Sequence, residues 1–390
     1  MEGGVSLAPP SMGKEILLYT RAIYGNPEKE AVNRVLTNEW LSGGIETTRF
    51  EEEIADWWGV KHALSCNSGS SANFIALQSL ELPEGSEIIT PAGAAFPTTI
   101  SPMVYLHHTP VFVDTDIKTL CLNLDEAEEA ITDKTKAIVF SHTLGFMPDM
   151  ERLMGIAGRH GLRVLEDTCD AMGSQQKGKK AGTFGDIATV SFYPAHHITT
   201  GGEGGAILTN NTSLWRKCLS IRDWGRDCFC RAGYAQPACK DRLANPPFDH
   251  RYYYTSLGMN LKLTEMQAAF GREQLKRVDE FIALRKRNYR ILAESIGRAV
   301  NDDISPFAFP VMAKDKEKAM ARLEEMGIQT RTLFGGNILA HPAYQNISKR
   351  IIGELPVSNR LLKEAFFVGV GPHLTVNNME YMAECLKEVL

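Results

Sequence analysis

No apolar run in this chain approaches the roughly 20 residues that a helix needs to cross a bilayer, so no membrane-spanning helix is expected. The first residues, Met-Glu-Gly-Gly-Val-Ser, lack the basic and apolar regions of a secretory signal, which points to a soluble cytoplasmic protein. An excess of positive charge is also missing. Lys and Arg number 42 against 47 Asp and Glu, for a net charge of −5, and no basic footprint argues for a nucleic-acid partner. Internal repeats and low-complexity segments are absent, which argues against a solenoid. Cysteine is sparse. Eight in 390 residues cannot form a disulfide scaffold, and in a reducing compartment those that cluster point towards metal.

What is present is a chain long enough for two domains with a buried core. Residues 1–20 read as an irregular arm. Helical patterns follow at Glu28–Thr37 and Arg49–Trp58. From Lys61 short apolar runs alternate with amphipathic segments. Strands are expected at His62–Ser65, Glu87–Thr90, Val111–Val113, Ala137–Phe140, Arg163–Leu165 and Ile187–Phe192, and helices at Ser71–Leu80, Leu124–Ile131 and Met150–His160. Such alternation predicts an α/β fold with a mostly parallel sheet covered on both faces, whose ligands bind at the carboxyl ends of strands. Residues 21–250 are read as this large domain, including an aperiodic loop at 228–247. Residues 251–390 are read as a smaller α+β domain. It enters through one long helix, opened by the capping-box spacing Thr264-Glu-Met-Gln267 and reaching Ile296. Further elements are expected at Phe307–Met312, Asp315–Met326 and Asn378–Leu390.

Four features carry chemistry. Ser68-Gly69-Ser70-Ser71 follows a strand and opens a helix, which points backbone amides and a positive helix end at an anion, although many helices begin this way. Leu165-Glu166-Asp167 closes another strand with a carboxylate, which alone could be a turn cap. Ser191-Phe-Tyr-Pro-Ala-His-His-Ile-Thr-Thr-Gly-Gly-Glu-Gly-Gly205 runs from a strand through a polar turn into a strand at Ala206-Ile-Leu208. Cys169, Cys228, Cys230 and Cys239 are spaced Cys-x58-Cys-x-Cys-x8-Cys, which four-thiolate [2Fe–2S] or zinc ligation and ordinary reduced thiols all accommodate.

The Ser191–Gly205 loop resembles the cofactor loop of the sugar aminotransferase family, vitamin B6 enzymes of the type I (aspartate aminotransferase-like) fold that act on nucleotide-linked keto-sugars. In that family the sixth loop residue is a lysine that holds pyridoxal phosphate as a Schiff base; here it is His196. Imidazole cannot form that imine but can still move a proton near neutrality. The resemblance implies that Gly69, Ser70, Ser71, Ser191 and Asn260 hold the cofactor phosphate, the asparagine reaching across from a second subunit of a homodimer. It implies that Asp167 holds the pyridine nitrogen and that Phe96 covers the ring.

Arg222-Asp-Trp-Gly-Arg-Asp-Cys-Phe-Cys230, with Tyr193-Pro-Ala-His-His197, narrows the resemblance to the CDP-4-keto-6-deoxyglucose 3-dehydrases. Those enzymes use pyridoxamine phosphate, a histidine and a [2Fe–2S] cluster. The implied activity is removal of the C3 hydroxyl from a nucleotide-linked 4-keto-6-deoxyhexose. His196 takes a proton from the cofactor methylene, and electrons come from an NAD(P)H-dependent flavin or iron–sulfur reductase through a cluster on Cys169, Cys228, Cys230 and Cys239. The rivals are a cluster-free dehydratase that regains its amine from glutamate and a cofactor-free sugar-binding relative.

Overall fold

The computed structural model describes residues 16–229, 243 and 246–390. Thirteen strands are defined among them. They are β1 (His62–Cys66), β2 (Glu87–Pro91), β3 (Thr109–Val113), β4 (Thr135–Ser141), β5 (Arg163–Asp167), β6 (Gln175–Gln176), β7 (Lys179–Lys180), β8 (Ile187–Ser191), β9 (Gly205–Thr209), β10 (Ala308–Met312), β11 (Thr330–Thr332), β12 (Arg350–Ile351) and β13 (Ala365–Gly369). Eight of them make one sheet in the order β1-β9-β8-β5-β4-β2-β3-β12. Every pairing in it is parallel except the two made by β9, which runs antiparallel to β1 and β8.

Side chains alternate across a strand, and here each face meets its own core. Ile88, Ala137, Val139 and Leu165 enter a layer with Ile75, Leu77 and Leu219. Their chain neighbours Ile89, Ile138, Phe140 and Val164 enter another with Met150, Leu153 and Ile156. Burial on both faces is why these strands read as unbroken apolar runs. A separate antiparallel sheet, β10-β13-β11, packs with helices Val278–Ser295, Lys316–Glu325 and Val376–Val389 around Leu292, Phe309, Leu323, Phe366 and Leu386. The same C-terminal stretch returns β12 to the edge of the large sheet beside β3, where Arg350 pairs with Glu87 at 2.8 Å.

One expectation is corrected. The helix expected from Thr264 to Ile296 is two helices, Glu265–Leu275 and Val278–Ser295, broken at Lys276–Arg277. The two halves share one core through Ala268, Leu275, Val278, Phe281 and Ile282, and then diverge. The first packs Ala269 against helix Asn26–Thr37, whereas the second carries Tyr289, Leu292 and Ala293 into the C-terminal core. The capping box of Thr264 and Gln267 is present as expected. Between them Glu265 does something unforeseen. Its buried carboxylate accepts the amides of Gly44 (2.6 Å), Glu46 (2.9 Å) and Thr47 (2.8 Å), so it caps helix Ile45–Trp58 from a distance. Helices Pro97–Tyr105, Thr212–Arg222 and Pro356–Glu364, and strands β11 to β13, are additions to the sequence reading. No helix among the described residues is long and apolar enough to cross a membrane.

Candidate active site at the strand ends

The carboxyl ends of β1, β5 and β8 converge. After β1, Ser68 adopts extended backbone and caps helix Gly69–Ser79, its Oγ accepting the Ser71 amide at 3.1 Å. The remaining first-turn amides carry the positive end of the helix. Ser70 is exposed, and Gly69 is buried against the neighbouring strand. A Cβ on Gly69 would lie 2.6 Å from Ser191 Cβ, 3.0 Å from Ser191 Oγ and 3.2 Å from Cys169 Sγ. A Cβ on Gly205 would lie 2.5 Å from the Ser68 carbonyl. Glycine at these two positions is what lets the strand ends close into a cradle.

Asp167 ends β5 and is buried. Its Oδ2 accepts from Asn73 Nδ2 (2.9 Å) and Thr99 Oγ1 (2.7 Å), and its Oδ1 accepts the Cys169 amide (3.1 Å). Asn73 is itself oriented by the Thr189 hydroxyl at 2.5 Å. Phe96 immediately precedes helix Pro97–Tyr105, the helix that supplies Thr99. Its ring is half exposed and meets Phe334 edge-on at 5.9 Å.

The structure separates the two adjacent histidines. His197 is a core residue, with Nε2 on Ser305 Oγ at 2.9 Å and burial pushing its pKa well down. His196 has Nδ1 3.5 Å from Asp170 Oδ1 and its ring 5.3 Å from Phe307. Burial pulls its pKa down to about 4, with the Asp167 charge opposing that shift and Arg285 adding to it. Asp170 is pushed up to about 7, chiefly by burial, and its Oδ2 accepts the Leu144 amide at 3.1 Å. Arg285, buried in helix Val278–Ser295, donates to the carbonyls of His196 (2.9 Å), Ala195 (3.3 Å) and Phe307 (2.8 Å).

Asn260 sits apart from this group. It is exposed, its backbone bridges to Asp223, and the next residue, Leu261, accepts the Asn67 amide at 2.8 Å. That places it beside the start of the cradle, at the surface. Cys169 lies against Gly69 and Ser191, and burial followed by the Asp167 charge pushes its thiol well up. Cys228 is partly exposed. Cys230 and Cys239 lie outside the described residues, and among the described residues no cluster of three or more metal-ligating side chains forms. Sequence reasoning missed Asp170, Arg285, Asn73 and Thr99. Asp170 alone left a signal there, an acid three positions beyond the strand-end Asp167.

A mostly parallel sheet whose strand ends bring together a helix N-terminus, a buried carboxylate and a glycine-rich loop is the layout expected of a vitamin B6 enzyme of the aminotransferase fold. The chain belongs to the DegT/DnrJ/EryC1/StrS aminotransferase family, whose model matches residues 23–387. It is 39% identical to the lipopolysaccharide biosynthesis protein RfbH of Salmonella typhimurium, over 99% of this chain and 92% of that protein. It is 40% identical to the dTDP-4-dehydro-2,6-dideoxy-D-glucose 3-dehydratase of Saccharopolyspora spinosa, over 89% of this chain and 81% of that protein. Among solved structures, E. coli GDP-4-keto-6-deoxy-D-mannose-3-dehydratase with bound hydrated pyridoxal phosphate superposes with a TM-score of 0.88 at 27% identity. That match covers 96% of this chain and 100% of the other.

Proposed function

We propose that this protein is a nucleotide-sugar 3-dehydratase that works with pyridoxamine phosphate on a 4-keto-6-deoxyhexose, in deoxysugar or lipopolysaccharide biosynthesis. The observation that carries the reading is His196, a neutral base where the family resemblance expects a lysine amine, near enough to Asp167 for that charge to act on its ring. The residues fit the cofactor. Gly69 lets the start of its helix close onto Ser191, so that Ser70, Ser71, Ser191 and the helix amides would hold the phosphate together. Asp167, already oriented by three donors, would hold the pyridine nitrogen, and Phe96 would cover the ring. When bound, pyridoxamine phosphate supplies the amine that joins the C4 ketone and a ring that takes up electron density. His196, neutral at working pH, would accept the proton released at the cofactor methylene and return it to the departing C3 hydroxyl, which would leave as water. We further propose a homodimer in which Asn260 reaches the partner's cofactor phosphate.

For the reducing equivalents, our reading assigns a [2Fe–2S] cluster to Cys169, Cys228, Cys230 and Cys239, served by an NAD(P)H-dependent flavin or iron–sulfur reductase. The rival is a cluster-free enzyme that regains its amine from glutamate, a reading supported by the similar GDP-4-keto-6-deoxymannose-3-dehydratase solved with a trapped pyridoxal phosphate–glutamate geminal diamine. Iron and acid-labile sulfide measured on anaerobically purified protein decide between them: two of each per chain support the cluster, and none supports the rival. The dehydratase reading has its own test. Borohydride added to protein loaded with pyridoxal phosphate should leave no reduced adduct by mass spectrometry, whereas His196→Lys should give one. An adduct on the unaltered chain refutes the reading.

A further inference from the structure

His196 is held at three points. Arg285 grips its carbonyl, Phe307 packs against its ring, and Asp170 stands 3.5 Å from Nδ1. That nitrogen is buried and has no hydrogen-bond partner. The carboxylate facing Nδ1 is itself built into place. Asp170 Oδ2 takes the amide of Leu144, a non-glycine residue in the left-handed region at φ 53°. Such backbone is strained and persists where the surroundings over-determine it. Here they do, because the Leu144 carbonyl accepts the Phe307 amide at 3.1 Å, and Phe307 returns to the His196 ring. The chain thus spends strain to aim one oxygen of Asp170 away from His196 and leave the other facing it.

From this geometry we infer that Asp170 is a positioning residue. Its Oδ1 accepts Nδ1–H of His196 and holds the ring in the tautomer whose Nε2 lone pair is free to take a proton. The inference rests on the dehydratase reading for its purpose, not for its geometry. Separations of this length at a base commonly shorten when substrate and cofactor are bound. Asp167, Arg285 and His197 are the other charged or titratable groups acting on this imidazole, and burial keeps it neutral, so its tautomer is what remains to be set.

The isosteric Asp170→Asn variant is the test. Leu144 N–H would keep the amide oxygen, leaving the NH2 to face Nδ1 and donate to it, which places the ring proton on Nε2. Histidine-selective 15N spectra of the cofactor-free protein, assigned with His196→Gln, read the tautomer without any turnover. In alkaline buffer, where Asp170 is ionised and can only accept, we expect Nδ1–H in the unaltered protein and Nε2–H in Asp170→Asn. With whichever CDP-, dTDP- or GDP-linked 4-keto-6-deoxyhexose the unaltered enzyme dehydrates, the variant should lose about 100-fold in kcat at nearly constant KM. Pyridoxamine phosphate affinity should stay within about threefold, since the phosphate cradle is untouched. A merely structural Asp170 would tolerate this substitution. An Nε2–H tautomer in the unaltered protein, or a variant with unchanged tautomer and kcat, overturns the inference. Should Asp170→Asn fail to fold, the tautomer of the unaltered protein alone decides. If no sugar is dehydrated, the dehydratase reading fails while the tautomer measurement still stands.

Discussion

Replacing Gly69 by alanine puts the cradle under a calculable load. The new Cβ would stand 2.6 Å from Ser191 Cβ, about 1 Å inside ordinary carbon contact. Ser191 has little room to yield, because it is buried at the end of β8 and paired with Gly205 of β9. Gly69 is the first residue of its helix and does not need a left-handed backbone, so the penalty is steric rather than conformational. Overpacking of this kind costs about 1–3 kcal/mol. Displacing the Ser191 hydroxyl from an anionic phosphate removes a charged hydrogen bond worth about 1.5–3 kcal/mol. The second figure corresponds to roughly 10- to 100-fold in cofactor Kd. Equilibrium titration of pyridoxamine phosphate, read by fluorescence beside a urea denaturation curve, measures both effects. Gly59→Ala is the control. Gly59 ends helix Ile45–Trp58 at φ 75° with no atom within 4 Å of its would-be Cβ. It should cost about 1 kcal/mol through backbone strain and leave cofactor affinity alone. If Gly69→Ala binds the cofactor within twofold of the unaltered protein, the assignment of Gly69 and Ser191 to the phosphate is refuted.

Arg285→Met strips three carbonyls of their charged donor, so urea denaturation should show a loss of about 3 kcal/mol; an unchanged midpoint would contradict the clamp. His196 charges near 6.5 in the unfolded chain but near 4 in the fold. Its contribution to stability is therefore full above pH 6.5 and is lost as pH falls towards 4, a change on the order of 3 kcal/mol. Stability should consequently drop less between pH 7 and pH 4 in His196→Gln than in the unaltered protein, and parallel curves would refute the burial argument. Asn260→Ala should weaken pyridoxamine phosphate binding about tenfold while sedimentation still reports a dimer. A monomer that binds the cofactor tightly would rule out the cross-subunit contact.

The strands were legible because both faces of the large sheet are dry. Ile88 and Ile89 go to opposite cores, as do Val139 and Phe140, so adjacent apolar residues mark these strands without alternation. β12 has no such signature. Two residues carry no period, and it is placed by Arg350 meeting Glu87. The break at Lys276–Arg277 contains neither glycine nor proline, so nothing in the local sequence marks it. At the site, the Ser68–Ser71 cradle and the strand-end Asp167 were readable as local patterns. Which of two adjacent histidines faces the pocket was not readable locally, since His197 is claimed by Ser305, far along the chain. Arg285 is one of three consecutive cations in Leu284-Arg-Lys-Arg287, and only the packing of its helix turns it inward.

The antiparallel insertion of β9 has a bearing on how the chain is made. β1 is an early product of translation, yet its one partner in the sheet is β9, with His62 opposite Thr209 and Cys66 opposite Gly205. Roughly 140 residues separate the two, which at 5–20 residues per second is about 10–30 s of synthesis. The carboxylate that caps helix Ile45–Trp58, on Glu265, emerges later still. Through that interval the ribosome presents Phe50, Ile54, Trp58 and Leu64, all destined for burial, with nothing yet made to cover them from β9 or Glu265. A nascent chain halted before residue 205 therefore ends with an open strand edge and a helix that lacks its Glu265 cap.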